Sequence, residues 1–326
     1  MASPPHLRGG IDIRTFPYPV VVISKCLGFE HCRYDGQMVY CDIIDKILPL
    51  TEVITVCPEC EIELGIPRDP IRLVDGRTMK LIQPSTGRDI TEKMQFFVKD
   101  FLDHLPEVDG FILKSKSPSC GSRTAKVFAS PDTQEPLHRH GSGFLAKEAT
   151  DRFPNLPSID ETALMDPETR EQFLTRLFMQ ADLRMHHSSI QELMDFQARN
   201  KLLLMAYDQC KVKTLGRILA DHKNRTFDEN MAVYVNTLQE MIKEKPSRAN
   251  TTNAFMHAFG YFSKDLGSDK KQYLLNCMEA YRKGDLNIQE LRKAIRPWIL
   301  EFRVDYLADQ TLFYPYPENL DHLDPE

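Results

Sequence analysis

The sequence predicts an α/β N-terminal domain with a mainly parallel sheet, followed by an all-α C-terminal domain. Short apolar runs alternate with helical patterns over the first ~150 residues, whereas only helical patterns continue from Glu168 onward. A stretch rich in Pro, Ser and Asp separates the two regions between Pro154 and Pro167. We therefore place the domains at residues 1–165 and 166–326.

The N-terminal elements alternate in type along the chain. Three β-branched or apolar runs predict buried strands, two 3.6-residue patterns predict helices, and the Asp75-Gly76 turn predicts a hairpin. The predicted strands cover 19–24, 53–56 and 110–113, the helices cover 37–48 and 91–104, and the hairpin covers 71–83. The apolar face of the second helix is expected to comprise Phe96, Phe97, Phe101, Leu102 and Leu105. Strand–helix–strand order of this kind favours a Rossmann-like parallel sheet.

The C-terminal region predicts a series of helices with short connections. Their expected spans are 168–182, 188–210, 213–222, 228–243, 250–266, 269–283, 287–302 and 303–310. The following Tyr314-Pro315-Tyr316-Pro317 segment is not helical in pattern.

Composition restricts the function classes. The 326 residues are 42% hydrophobic and 27% charged, and the net charge of -6 argues against a generally basic nucleic-acid-binding coat. No apolar run approaches the roughly 18 residues that span a bilayer, and Met1–Gly10 lacks the apolar region of a signal peptide. We expect a cytoplasmic protein without a membrane partner, whose eight cysteines are thiols or metal ligands.

Three cysteines follow predicted strands. Cys26, Cys57 and Cys120 each lie at or beyond a strand's C-terminal end. These ends share one edge of a parallel sheet, where ligand sites form. Three converging thiolates suit a [4Fe–4S] cluster, in which one iron would keep an open position able to act as a Lewis acid toward sulfur.

Other uses of the cysteines remain open at this stage. A buried cysteine is often simply a small core residue. Cys57-Pro58-Glu59-Cys60 fits a redox pair or one half of a zinc site, although no second CxxC follows. Cys32 and Cys41 are alternative ligands because they lie near Cys26 in sequence. No Walker A loop or GxGxxG motif is present.

Residues 20–130 resemble the thiouracil desulfidase (TudS-like) family. The matching pieces are Ser24-Lys25-Cys26-Leu27-Gly28, Arg33-Tyr34-Asp35-Gly36, Val56-Cys57-Pro58-Glu59, Gly65-Ile66-Pro67-Arg68 and Leu113-Lys114-Ser115-Lys116-Ser117-Pro118-Ser119-Cys120-Gly121. The last piece is long and distinctive. Cys60 departs from the pattern, because an aliphatic residue is expected at that position.

Residues ~168–320 resemble the YbgA-type helical domain. The matching pieces include Asn200-Lys201-Leu202-Leu203-Leu204-Met205-Ala206, Leu215-Gly216-Arg217, His257-Ala258-Phe259-Gly260-Tyr261-Phe262 and Tyr281-Arg282-Lys283-Gly284. Gln197, Asn200 and Tyr207 stand where such domains usually carry histidines. The two domains together resemble two-domain tRNA thiouridine desulfidases.

The resemblance implies a function and a set of site residues. It implies a [4Fe–4S] cluster on Cys26, Cys57 and Cys120, with Glu59 as the proton-handling carboxylate and Ser117 as a substrate-site hydroxyl. The implied reaction replaces the sulfur of a thiolated uridine in tRNA, with 4-thiouridine favoured, by oxygen.

Basic residues supply the remaining candidates. Lys114 and Lys116 are candidates for binding substrate or balancing the charge of the cluster, and Lys201 and Arg217 belong to a basic stretch that is a candidate for gripping tRNA. Solvated surface charge is the competing interpretation of all four.

Three other functions compete with tRNA desulfidation. A tRNA thiolation enzyme would use a similar cluster in the opposite direction, but it would usually need a phosphate-binding loop for ATP. A desulfidase of free 2-thiouracil would have no use for a second domain. A non-catalytic, metal-stabilised binding module would bind zinc without labile sulfide.

Overall fold

The computed structural model describes residues 15–321 and residue 323, so the sequence-based expectation for Met1–Gly10 lies outside the described residues. The chain divides into two compact units, whose main spans are Tyr18–Ala181 and Asp182–Asp321. The first unit is α/β and the second is mostly helical, which confirms the predicted fold classes. No described helix combines the length and apolarity needed to cross a membrane.

The described residues form nine strands. In chain order they are β1 (Val20–Ser24), β2 (Glu52–Val56), β3 (Arg72–Val74), β4 (Lys80–Gln83), β5 (Arg88–Asp89), β6 (Gly110–Leu113), β7 (Ala125–Phe128), β8 (His138–Gly141) and β9 (Ser158–Asp160). The predicted strands therefore correspond to β1, β2 and β6.

The described α-helices follow the predicted pattern closely in the second unit. They are α1 (Asp42–Ile47), α2 (Pro58–Glu61), α3 (Thr91–Asp103), α4 (Phe144–Arg152), α5 (Pro167–Met185), α6 (Ile190–Tyr207), α7 (Gln209–Ala220), α8 (Phe227–Ile242), α9 (Arg248–Phe259), α10 (Ser268–Lys283), α11 (Ile288–Glu301) and α12 (Asp305–Ala308). Short α2 and longer α4 had no counterpart among the predicted elements.

The first sheet is parallel throughout, in the order β2-β1-β6-β9. All five residues of β1 are buried, as expected for a β-branched strand that is covered on both faces. Ser24 of β1 is paired with Val56 of β2, and Ile23 with Ile112 of β6, so the three strands end at nearly the same level.

The second sheet has the order β5-β4-β3-β7-β8. Strands β3 and β4 pair in antiparallel fashion, which confirms the hairpin predicted around Asp75-Gly76. Strand β7 joins β3 in parallel and lies directly after the loop that carries Cys120. The second sheet therefore adds a wall beside the ends of the first.

The buried face of α3 differs from the predicted apolar face, since Phe96 lies outside it and the unpredicted Met94 and Val98 belong to it. Phe96 is 77% exposed, whereas Met94, Val98 and Leu102 are buried. These three residues are spaced by four and therefore lie on one face of a helix, and Phe96 is displaced from that face by about 160° at 3.6 residues per turn. The expectation for Phe96 was wrong because a Phe was weighted above the helical period.

The second unit is built from capped helices. Thr226 and Asn287 form capping boxes with Glu229 and Glu290 at the starts of α8 and α11. Gly284 ends α10 with φ +99°, a left-handed conformation that favours glycine. The starts of α8 and α11 and the end of α10 therefore satisfy backbone groups that would otherwise lack partners.

Gln197, Asn200 and Tyr207 serve the interior of this unit. The Gln197 side-chain oxygen accepts a hydrogen bond of 2.5 Å from the Tyr234 hydroxyl. Asn200 is fully buried, and it donates to the Phe196 carbonyl and accepts from Thr311. At two of the three positions where the YbgA-type pattern usually has histidines, Gln197 and Asn200 thus take part in hydrogen bonds within this unit.

We expect Tyr234→Phe to lower the free energy of unfolding of the helical unit by about 1 kcal/mol, because Gln197 loses its donor. Burial raises the pKa of the Tyr234 hydroxyl far above its usual range, so the group is a donor at neutral pH. The fluorescence of Trp298, the single tryptophan of the chain, reports on this unit during urea denaturation because it lies in α11. Tyr273→Phe is the control, since Tyr273 is 54% exposed; equal urea midpoints for the two variants would contradict the assignment.

Candidate active site

Cysteines follow the C-terminal ends of three adjacent parallel strands. Cys26 lies two residues after β1, Cys57 directly follows β2 and precedes α2, and Cys120 lies in the loop after β6. All three are buried, with 9%, 8% and 5% of their surface exposed. The predicted clustering of these residues at one sheet edge is consistent with the order β2-β1-β6.

A cavity of about 460 Å³ lies at this edge. Its size falls within the range of small-molecule sites and exceeds what a single ion needs. Its polar lining residues include Cys26, Cys32, Cys57, Cys120, Glu59, Arg33, Arg68, Arg72, Lys114, Lys116, Ser117, Ser119 and Lys126. The cavity therefore contains every site residue that the sequence predicted in the first domain.

The closest group of thiols is Cys32, Cys57 and Cys60, whose sulfur atoms all lie within 4.8 Å of one another. This group contains only one of the three predicted cluster ligands. Hydrogen bonding to the Cys26 thiol raises the pKa of Cys32 to about 12, with burial adding to the shift. Hydrogen bonding to Cys32 and burial likewise raise the pKa of Cys57. Without metal, these groups are therefore neutral thiols at physiological pH.

Cys120 is distant in sequence from the other cysteines of the site but lines the same cavity. Burial raises the pKa of this thiol to about 12, although hydrogen bonding to Ser24 opposes the shift. Metal binding at Cys120 must therefore displace a proton. Ligation by Cys26, Cys57 and Cys120 stays a prediction.

Glu59 is held by a buried arginine. The Arg68 Nε and Nη2 atoms lie 2.9 and 2.8 Å from Glu59 Oε2. The Glu59 side chain is only 13% exposed and the Arg68 side chain only 3%, so the pair is shielded from solvent. Arg68 Nη1 also donates to the Cys32 carbonyl at 3.0 Å, which links the carboxylate to the thiol group.

Two serine hydroxyls connect Glu59 to Cys120. Ser119 Oγ donates to Glu59 Oε1 at 2.6 Å, and it lies 3.0 Å from Ser117 Oγ. Because the single Ser119 proton points at Glu59, the Ser117 hydroxyl must donate to Ser119. Ser117 Oγ also accepts from the backbone N–H groups of Ser119 and Cys120. Its hydrogen-bonding capacity is thus filled, so binding a substrate would require it to exchange a partner.

Helix α4 fixes the loop that carries these serines. The N–H of Leu145 donates to the Ser119 carbonyl at 2.8 Å, and the N–H of Gly143 donates to the Gly121 carbonyl at the same distance. A Cβ atom on Gly143 would lie only 2.4 Å from the Ser119 carbonyl carbon. Glycine is therefore required where the start of α4 meets the loop.

The two candidate lysines of this loop differ in their surroundings. Lys114 forms an ion pair with Glu161, which follows β9, and also donates to Ser115. Lys116 is exposed, has a positive φ of 60°, and donates its backbone N–H to Thr124. A carboxylate therefore offsets the charge of Lys114, while the Lys116 ammonium is open to solvent. Substrate binding by either residue stays a prediction.

Lys201 and Arg217 lie in the helical unit. Both side chains are exposed, on α6 and α7 respectively. Arg217 lines a shallow surface depression together with Asp221 and Arg225, and Arg225 pairs with Asp221 at 3.4 Å. Their proposed contact with tRNA stays a prediction.

Sequence reasoning missed three contributors to the site. Arg68 and Ser119 belonged to quoted motifs but received no role, and Cys32 was only an alternative ligand. Arg68 reaches Glu59 across nine positions, and Ser119 reaches it across 60. An arginine within a short Gly-Ile-Pro-Arg motif was the available signal, yet its partner is fixed only by the fold.

Parallel strands that deliver cysteines and a carboxylate to one cavity define an α/β domain with a cysteine-lined metal site. Residues 21–161 match the sequence model of the 2-thiouracil desulfurase family, and residues 201–317 match a family described as a protein of unknown function (DUF1722). The chain belongs to the 2-thiouracil desulfurase family. Both the predicted domain boundary and the division at Ala181 fall between the two matched ranges.

Individual relatives match each domain separately. Uncharacterized protein YbbK of Bacillus subtilis is 31% identical over 112 residues, which cover 32% of this chain and 74% of YbbK. Uncharacterized protein YbgA of Escherichia coli is 26% identical over 143 residues, covering 43% of this chain and 85% of YbgA. A solved structure of the [4Fe-4S]-dependent thiouracil desulfidase TudS is 23% identical, covers 47% of this chain and 96% of its own, and has a TM-score of 0.37.

We expect Gly143→Ala to loosen the loop 117–121, because the new methyl group would overlap the Ser119 backbone. Overpacking of this kind typically costs about 1–3 kcal/mol. Hydrogen–deuterium exchange should then be faster at the amides of Gly121 and Leu145, which are hydrogen-bonded in the wild type. Gly216→Ala is the control, since no atom lies within 4 Å of its added Cβ. Unchanged protection in Gly143→Ala would show that the loop is not held by this contact.

Proposed function

We propose that the chain removes sulfur from a thiolated uridine in tRNA, with 4-thiouridine the favoured base, and that it does so with a [4Fe–4S] cluster held by Cys26, Cys57 and Cys120. The observation that carries this proposal is the arrangement at the sheet edge. Three adjacent parallel strands bring cysteines into one cavity, and the Glu59 carboxylate lines the same cavity.

The donor set fits an iron–sulfur cluster. The cavity offers several buried thiols and a volume of about 460 Å³, and cysteine is the usual ligand of such clusters. When bound through three cysteines, the cluster would supply an iron with an open position that acts as a Lewis acid toward sulfur. The name of the family and the description of TudS as [4Fe-4S]-dependent support this assignment.

The protein's own groups provide a path for protons. Water would supply the oxygen that replaces sulfur, and sulfur would leave as hydrosulfide, so the reaction requires no net electron transfer. Glu59 accepts the proton of that water, while Arg68 fixes the carboxylate through two hydrogen bonds to Oε2. Ser119 and Ser117 extend the hydrogen-bond chain from Glu59 Oε1 toward the Cys120 backbone.

Cationic side chains favour an anionic substrate. Lys116 and Lys126 are exposed and line the cavity, where an anionic cluster and the phosphates of a nucleotide would both need positive charge. Lys201 and Arg217 are exposed on the helical unit, which is the candidate region for holding tRNA. A thiolated base in folded tRNA must leave its stack, so a second domain would serve this substrate more than a free base.

Three competing functions predict different metal contents or substrates. A non-catalytic binding module would contain zinc without labile sulfide. A desulfidase of free 2-thiouracil would act on the base and gain nothing from tRNA. A thiolation enzyme would add sulfur to unmodified tRNA in the presence of ATP.

The deciding experiment uses full-length protein purified without oxygen. We expect about four irons and four labile sulfides per chain, and loss of the near-ultraviolet thiocarbonyl absorbance of 4-thiouridine-containing tRNA. Cys120→Ala should abolish cluster retention and activity together. Cys210→Ala is the matched control, because Cys210 is an exposed thiol of α7.

Each alternative outcome has a defined meaning. Turnover of 2-thiouracil without turnover of tRNA would replace the proposed substrate. A combined Lys201→Glu and Arg217→Glu variant should weaken turnover of tRNA but not of free 4-thiouridine, and equal effects on both would remove the helical unit from tRNA binding. Failure to assemble a cluster after anaerobic reconstitution would overturn the proposal and favour the binding module.

We expect Glu59→Gln to reduce kcat by about 10²–10⁴-fold, the usual range for losing a general base. Iron and sulfide content should stay at the wild-type level, because Glu59 is not a proposed ligand. Ser119→Ala should give a smaller decrease, since it removes one hydrogen bond to the carboxylate but leaves the Arg68 pair intact. Single-turnover assays with iron-matched samples measure both effects. A Glu59→Gln enzyme with wild-type kcat would exclude Glu59 as the base.

A further inference from the structure

Three thiols from two separate loops form a compact group, which we call the thiol triad: Cys32, Cys57 and Cys60. Their sulfur atoms all lie within 4.8 Å of one another. Cys32 lies between β1 and α1, whereas Cys57 caps α2 and Cys60 lies within it. The cluster assignment uses Cys57 alone from this group, so Cys32 and Cys60 are left without a role.

One carbonyl group ties the triad together. The Cys32 carbonyl accepts from the Cys57 thiol at 3.8 Å, from the Cys60 thiol at 3.6 Å, and from Arg68 Nη1 at 3.0 Å. The two loops are thus fixed to each other at the point where the sulfur atoms meet. Arg68 Nη1 also lies 3.9 Å from Cys60 Sγ, which places a cation beside the triad.

The triad has the chemistry of a zinc-class site. A Cys-x-x-Cys pair usually supplies half of such a site, and here Cys32 supplies the third sulfur that a second pair would provide. Sulfur atoms around tetrahedral zinc, at Zn–S distances of about 2.3 Å, lie about 3.8 Å apart. The triad therefore needs to contract by no more than about 1 Å.

Charge and surroundings also fit this use. Three thiolates on a divalent ion carry a net charge of −1, and the Arg68 guanidinium lies close enough to offset it. Cys32 is fully buried and Cys57 nearly so, which protects the thiolates from solvent. The thiol of Cys26 adjoins Cys32 and is available, as is water, for the fourth position.

We propose that the thiol triad is a mononuclear site for a soft divalent ion of the zinc class, distinct from the cluster but sharing Cys57 with it. Binding forms three metal–sulfur bonds and releases three thiol protons, with no change of oxidation state. In this proposal Cys57 ligates one centre at a time rather than bridging both, so the two fillings exclude each other; this exclusion rests on the proposed function. A zinc-filled chain would accordingly be inactive as a desulfidase.

Cobalt(II) is the probe for this site, added to metal-free, full-length protein under anaerobic, reducing conditions. We expect a sulfur-to-cobalt charge-transfer band and the visible bands of tetrahedral cobalt, both removed by added zinc. Cys60→Val should weaken cobalt binding by at least about tenfold. Loss of a residue that only supports a metal ligand already costs about tenfold or more, and Cys60 is a proposed ligand itself. Cys41→Val is the matched control, because Cys41 lies outside the triad.

The outcomes separate this proposal from the proposed function. Wild-type protein without a charge-transfer band, or Cys60→Val with wild-type affinity, would overturn the triad site even if the cluster assembles. Cobalt binding without any cluster assembly would support the triad and overturn the desulfidase.

Reconstitution with iron and sulfide tests the sharing of Cys57 and verifies that the variant folds. Cys60→Val should acquire the same iron and sulfide as wild type, whereas wild-type protein pre-loaded with zinc should acquire much less. Equal cluster loading with and without zinc would overturn this exclusion. Loss of the cluster in Cys60→Val would instead make Cys60 a cluster ligand and likewise overturn the division of roles.

Discussion

The parallel pairing of β1 with β2 on one side and β6 on the other is the constraint on which the site depends. In-register pairing places the last residues of these strands at one level. The chain after each strand must therefore leave the sheet at the same edge, and each exit carries a cysteine. An antiparallel arrangement would have sent the middle exit to the opposite edge of the sheet. Residues separated by 31 and 63 positions line one cavity because of this backbone geometry.

Arg68 is the second organising element, because it unites groups that belong to different loops. Its guanidinium donates to the Glu59 carboxylate, the Cys32 carbonyl and the Gly65 carbonyl. Glu59 opposes the effect of burial on the pKa of Arg68 and holds that pKa above its usual value, so the guanidinium remains charged. A lysine could not reproduce this fork of contacts. Carboxylate position and thiol geometry are consequently coupled through one side chain.

The sequence was most informative where structure follows from local periodicity. The β-branched runs of β1 and β2 and the helical periods of α5 to α8, α10 and α11 predicted elements within a few residues of their observed bounds, whereas the predicted helix 250–266 runs well beyond the end of α9 at Phe259. The expected position of the cysteines followed from one rule about parallel strands. Glu59 and Ser117 were predicted from the family resemblance. The structure links their side chains by hydrogen bonds through Ser119.

Other features depend on contacts between distant segments and left no local pattern. Strand β7 pairs with β3 across more than 50 residues, and α4 was hidden because Gly143 begins it against another loop. Phe96 shows the opposite error. This large apolar side chain was assigned to the buried face of α3, although the helical period places it on the other side of the helix. The approach of Cys32 to Cys57 and Cys60 likewise required the folded loops to be seen.

The ion pair of Lys114 with Glu161 has a consequence for the electric field over the cavity mouth. Glu161 follows β9, the one strand of the parallel sheet that delivers no cysteine, and its carboxylate offsets the charge of Lys114. Lys116 and Lys126 also line the cavity, and no carboxylate of the described residues lies within ion-pair distance of either, so their positive charge is not offset in this way. A polyanion that approaches the cavity would be oriented by these positive charges before it makes contact. Dissolved salt would screen the charges and weaken this orientation without altering the chemistry inside the cavity.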